Sequence, residues 1–209
     1  MDIIRRLGVL LKAEEETGAS SRRASLNAVW QETLRILRRE FLLNEIEIIE
    51  RIPEDFPLIQ CSKQDLQEIL YHLCENALQA MNAKGNPATK KAGKLAIRAQ
   101  VAFSIKEEPY ALITLSDTGP GVPTSLLSCL FQPFFTTKPE SEGNGLGLYL
   151  SKALVTKNHG RITVSSFHGF GATFSLEFSL AQGNESKKEE REALVDFSGS
   201  LLGGKCIDE

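Results

Sequence analysis

Tyr110-Ala111-Leu112-Ile113-Thr114-Leu115-Ser116-Asp117-Thr118-Gly119-Pro120-Gly121 is the stretch from which the fold is read. Seven β-prone, mostly apolar residues run into a carboxylate, and the chain then turns sharply at two glycines and a proline. A strand that ends in Asp117 places that carboxylate beside the end of a sheet, facing a cleft. There it can accept a hydrogen bond from an exocyclic amine and so tell an amino-purine from one with a carbonyl at that position. Gly119 and Gly121 are expected to supply positive φ and close backbone approach. Taken alone, D-x-G-x-G also describes an ordinary surface turn.

Upstream of the strand, Leu66, Ile69, Leu70, Leu73 and Ala77 recur at three- and four-residue steps, giving a helix over 63–82. Ser62 is its N-cap, with Asp65 as capping-box partner. Asn76 lies on the face opposite that stripe, and its amide oxygen is a hard donor suited to Mg²⁺. Glu75 beside it either orients a water of the metal shell or is a solvated helix residue. His72, one turn earlier, either bonds a phosphate or metal-bound water, or is a bystander at the cleft edge.

Downstream, Gly143-Asn144-Gly145-Leu146-Gly147-Leu148 opens a helix over 145–158. Glycines there free backbone amides to face phosphate oxygens, and the helix N-terminus adds partial positive charge. A flexible loop precedes this run, which disfavours a dinucleotide-fold turn, and no Gly-Lys-Ser/Thr closes it as in a P-loop. Between the two glycine segments lies Phe131-Gln132-Pro133-Phe134-Phe135-Thr136-Thr137-Lys138. Aromatics in a loop must dock, so this segment is expected to close over something. Lys138 then reaches a terminal phosphate or remains a solvated charge.

These four segments, in this order, resemble the N, G1, F and G2 boxes of the catalytic ATP-binding domain of sensor histidine kinases, within the GHKL superfamily. The resemblance covers about residues 25–180, and Glu75–Met81 with Phe134–Lys138 is most similar to the nitrogen-regulation branch. It implies the Bergerat ATP-binding fold, an α/β two-layer sandwich with a mixed, mostly antiparallel sheet and helices on one face. It implies ATP and Mg²⁺ as cofactors, with Asp117 on the adenine amino group and Asn76 on the metal. Gly119, Gly121, Phe134, Thr136, Thr137, Lys138, Gly143, Gly145, Leu146, Gly147 and Leu148 complete the nucleotide site, and Glu75, His72 and Lys138 are the catalytic candidates. His72 departs from the family, where many relatives carry Asn and ATP-hydrolysing cousins a water-activating Glu.

A kinase of this kind phosphorylates a His on a dimerisation hairpin. The chain's three histidines, His72, His159 and His168, all lack the acceptor's neighbourhood. The acceptor is therefore expected on another segment, with a response regulator receiver domain as the further partner. Residues 2–16 resemble the end of the second dimerisation helix, so 1–20 reads as its remnant and linker, 21–181 as the catalytic domain, and 182–209 as a charged, disordered tail with a possible helix at 185–197. The alternatives are a nucleotide-binding interaction module without kinase activity, or a serine-kinase anti-sigma relative.

The remaining elements follow from pattern: a helix over 25–43, strands over 46–52, 58–61, 94–105 and 110–116, a short helix over 125–131, and a hairpin of 161–167 with 172–180. The chain has 209 residues and a formal net charge of −3, with no pull toward nucleic acid or anionic membrane. No apolar run approaches the roughly 20 residues of a membrane helix, so a cytoplasmic location is expected. The four cysteines are widely spaced, in no metal-binding pattern, and read as reduced structural thiols.

Overall fold

The computed structural model describes residues 22–82, 93–137 and 144–181. The expected helix over 2–16, the tail, Lys138 and Gly143 lie outside the described residues. The elements are α1 (Leu26–Leu43), β1 (Glu47–Arg51), α2 (Lys63–Asn82), β2 (Lys94–Phe103), β3 (Pro109–Asp117), α3 (Gly147–Lys157), β4 (Arg161–Ser166) and β5 (Ala172–Ser179). The strands form one sheet in the order β1-β2-β3-β5-β4. Only β1 runs parallel to its neighbour; the other three pairings are antiparallel.

Alternation along the strands makes this a two-layer sandwich. Ala111, Ile113, Leu115 and Asp117 of β3 are buried, as are Leu95, Ile97 and Ala99 of β2 and Ala172, Phe174, Leu176 and Phe178 of β5. The register sets these residues side by side, Ile97 against Leu115 and Leu115 against Phe174, so one face of the sheet is apolar. Leu66, Ile69, Leu70 and Leu73 of α2 and Trp30 of α1 meet it fully buried. Each such side chain contributes roughly 1.5–3 kcal/mol on leaving water. The opposite face carries hydroxyls: Ser116 and Thr173, paired across β3 and β5, share a 2.8 Å hydrogen bond.

Local rules account for the helix ends. Ser25 caps α1 by accepting the Ala28 amide. The Ser62 hydroxyl accepts the Asp65 amide at 3.0 Å. The Asp65 side chain does not reach back as a capping-box partner. It receives Nδ2–H of Asn158 at 2.7 Å and Lys157 Nζ at 3.3 Å. Asn158 in turn accepts the Ser62 amide at 3.1 Å, so the end of α3 caps the start of α2. Both Asp65 and Asn158 are buried. Asn158→Ala would leave a buried carboxylate and a backbone amide short of partners, at a cost of about 3 kcal/mol. A urea melt should show it as a lower midpoint at unchanged slope.

Two expected elements are replaced. Leu58–Cys61 is no strand; only Ile59 makes bridges, to Ala24 and to Leu180. The helix over 125–131 reduces to a single 3-10 turn, Thr124–Leu126, followed by turns. Cys61 and Cys74 are buried free thiols, and burial pushes both up to about 12. They are unreactive core residues, in keeping with the sequence reading.

Candidate functional site

β3 carries Asp117 to the end of the sheet on the helix-covered face, where it is 7% exposed. Its Oδ1 accepts the amide of Gly119 at 2.8 Å and that of Ala172 at 3.4 Å, which leaves Oδ2 outside this pair of bonds. Burial pushes the carboxyl above its ordinary value, against the opposing pull of those amides.

Glycine shapes the wall around it. Gly119 does not take positive φ, as the sequence suggested; its role is space. A Cβ there would stand 2.8 Å from Asp117 Oδ1 and 3.3 Å from Cβ of Ala80 on α2. Gly121 does take positive φ, +70°. Gly171 follows from the β4–β5 turn at φ +84°, and its Cβ would fall 1.9 Å from the carbonyl oxygen of Asp117. Ser166 sews the two loops together, accepting the Val122 amide at 2.8 Å and donating to the Gly171 carbonyl at 2.7 Å. The turn 167–171 thus braces the Asp117 loop, a part that pattern reading treated as a plain hairpin. Its signal was present in the paired glycines Gly169 and Gly171.

The other wall is α2 against the start of α3. His72, Glu75 and Asn76 are partly buried on α2. A Cβ on Gly147, the first residue of α3, would lie 3.4 Å from His72 Nδ1. The His72 side chain is 17% exposed, with Glu68 Oε1 3.7 Å from Nε2 and Glu75 Oε2 3.8 Å from Nδ1. Nδ1 is the one buried side-chain polar atom with no hydrogen bond among the described residues. Leu148 is partly buried against the core. Ahead of α3, the Asn144 side chain accepts the Leu146 amide at 3.1 Å.

The Phe-rich segment meets the glycine run directly. Gly145 has φ +67°, and its Cβ would lie 2.5 Å from the Phe134 carbonyl carbon. Phe134 itself holds φ 64°. The aromatics divide in two. Phe131 docks edge-on to Phe174 at 6.4 Å between centroids, with Lys152 Nζ 5.6 Å from its ring. Phe134 is 52% exposed, and Phe135 is half-buried. Thr136 and Thr137 follow on the exposed side.

A mixed open sheet under one helical layer, with a buried carboxylate at a strand end and a glycine-opened helix against α2, defines an α/β-sandwich domain. The profile of the histidine kinase-, DNA gyrase B-, and HSP90-like ATPases matches residues 61–182. The chain belongs to that family. The signal transduction histidine-protein kinase AtoS of Escherichia coli is 32% identical over 178 residues, which is 85% of this chain and 27% of AtoS. The catalytic domain of histidine kinase ThkA has the same fold, with TM-score 0.62 at 21% identity over 76% of this chain and 94% of that one. Full-length ShkA in complex with AMPPNP matches with TM-score 0.64 at 23% identity, covering 84% of this chain and 35% of ShkA. No helix among the described residues is long and apolar enough to cross a membrane.

Proposed function

We propose that this chain is the ATP-binding catalytic domain of a cytoplasmic two-component sensor histidine kinase of the nitrogen-regulation type. In this reading, residues 21–181 form the catalytic body and 1–20 the end of a dimerisation helix. The γ-phosphoryl passes from ATP to a His on a dimerisation domain, and from there to a response regulator. The observation that carries the reading is Asp117: a buried carboxylate at a strand end, held by two backbone amides and closely approached by Gly119 and Gly171.

Asp117 Oδ2 accepts the adenine amino group, and the Gly119 backbone lies against the base. The amides that open α3, from Gly147 onward, face the phosphates with the positive end of the helix behind them. Gly145, Leu146 and Leu148 shape that end, and the segment through Phe134, Thr136, Thr137 and Lys138 covers it, excluding water. Among the described residues no group of three or more His, Cys, Asp or Glu could hold a metal ion. A divalent cation arrives with the nucleotide, held by Asn76 together with phosphate oxygens and water. Such an ion neutralises phosphate charge. The acceptor imidazole is the nucleophile, so the domain contributes chiefly positioning and electrostatics.

The test is transfer. Radiolabel from γ-labelled ATP should appear on the His of an added dimerisation-hairpin fragment, in an acid-labile and base-stable form. Nucleotide binding without transfer to any hairpin supplied would instead mark a binding module.

A further inference from the structure

The nucleotide reading treats His72 as one of several residues near the phosphates, but its surroundings are specific. Nδ1 is buried with no hydrogen-bond partner, and it faces Gly147, where the phosphates would enter. A buried polar atom without a partner costs about 1–3 kcal/mol unless something absent satisfies it. Glu68 stands at the far nitrogen, Nε2. At 3.7 and 3.8 Å neither Glu68 nor Glu75 hydrogen-bonds the ring, so Nδ1 is left to present its lone pair to an incoming group. Glu75 adds a carboxylate oxygen 3.8 Å from Nδ1. Asn76 follows one helical turn after His72 on the same face of α2.

We propose that His72 makes this a site for a nitrogen-seeking divalent cation: with nucleotide in place, Nδ1 ligates the ion that Asn76 holds, and the domain selects a first-row transition-metal ion over Mg²⁺. The inference rests on the nucleotide reading. Mg²⁺ takes hard oxygen donors and gains little from imidazole, whereas nitrogen donors favour Mn²⁺ and, more strongly, Co²⁺. Glu75 serves as a further oxygen ligand or holds a metal-bound water.

Two measurements test it. Calorimetric titration of the whole chain with AMPPNP in Mg²⁺, Mn²⁺ or Co²⁺ should show affinity rising in that order, with Co²⁺ at least about tenfold above Mg²⁺. In His72→Asn the three ions should converge to within about threefold, because an amide oxygen replaces the nitrogen. Electron spin-echo modulation of the Mn²⁺–AMPPNP complex of the unaltered protein should carry an imidazole nitrogen coupling, which needs no variant to fold. Equal affinities for all three ions, or no nitrogen coupling, overturns the proposal. Absence of AMPPNP binding with every ion would instead overturn the nucleotide reading beneath it.

Discussion

Asp117→Asn is expected to weaken adenine-nucleotide binding by roughly 100-fold while leaving the free protein at least as stable as before. Both halves come from the same geometry. The amide that replaces the carboxylate keeps an oxygen for the Gly119 and Ala172 amides. What remains is an N–H group where Oδ2 stood, facing the amino group of the base, and donor against donor leaves two buried groups unpaired. The charge is also lost, and this side chain bears a charge at a cost. Its carboxyl is held above the ordinary value of 3.8 by burial. The folded state therefore binds the proton more tightly than the unfolded chain does. Stability from this group is greatest below pH 3.8, falls as pH rises through the interval up to the folded value, and stays low at neutral pH. The asparagine variant should lack that decline. Calorimetry with ADP checks the binding, and thermal melts at pH 4 and pH 7 check the stability. A variant that binds ADP as the parent does would remove Asp117 from the adenine site.

Gly171→Ala should fail to accumulate as folded protein, while Gly169→Ala, two residues away, should lose only about 1 kcal/mol. The two glycines have nearly the same φ, +84° and +87°. The left-handed strain of a non-glycine residue is therefore common to both. Their surroundings differ. A Cβ at Gly169 meets nothing within 4 Å, whereas one at Gly171 would sit 1.9 Å from the Asp117 carbonyl oxygen. That oxygen belongs to the last residue of β3, which pairs with Leu95 of β2, so it cannot step aside without disturbing that end of the sheet. A penalty beyond about 4 kcal/mol is a large part of a typical domain's stability of roughly 5–15 kcal/mol. Soluble yield and circular dichroism of the two variants decide the matter. Equal melting temperatures would show that β3 and the β4–β5 turn are not locked together.

What could be read ahead of the structure was whatever the chain encodes locally. The helix over 63–82 was legible from Ser62 and the stripe Leu66, Ile69, Leu70, Leu73 and Ala77, all buried as expected. Asp117 was placed correctly at a strand end because a β-prone, mostly apolar run stops at it and a glycine- and proline-rich turn follows. Illegible features depend on distant partners. Asp65 has the spacing of a capping-box residue, but Asn158, 93 positions along the chain, takes it. Ile59 has strand propensity, yet its partners are single residues of two remote segments. Gly119 resembles a residue needed for positive φ, and only the approach of Asp117 and Ala80 shows that space is what it provides. His72 stood out as a departure from a family pattern, but pattern could not show that Nδ1 has no partner or that Glu68 stands at the opposite nitrogen.

Ile59 carries one more consequence. Its amide and carbonyl exchange hydrogen bonds with Ala24 at 3.0 Å each, while Gln60 donates to Ser179 and Ala181 donates to Leu58, both at 2.8 Å. The point where the chain enters the sandwich and the point where it leaves are thus fastened to the same short segment. Ala24 and Leu180 therefore flank a single residue, Ile59. The body between them is topologically a closed circle, and its strands could be circularly permuted, or the whole set within a host loop, without any pairing in the sheet being redrawn.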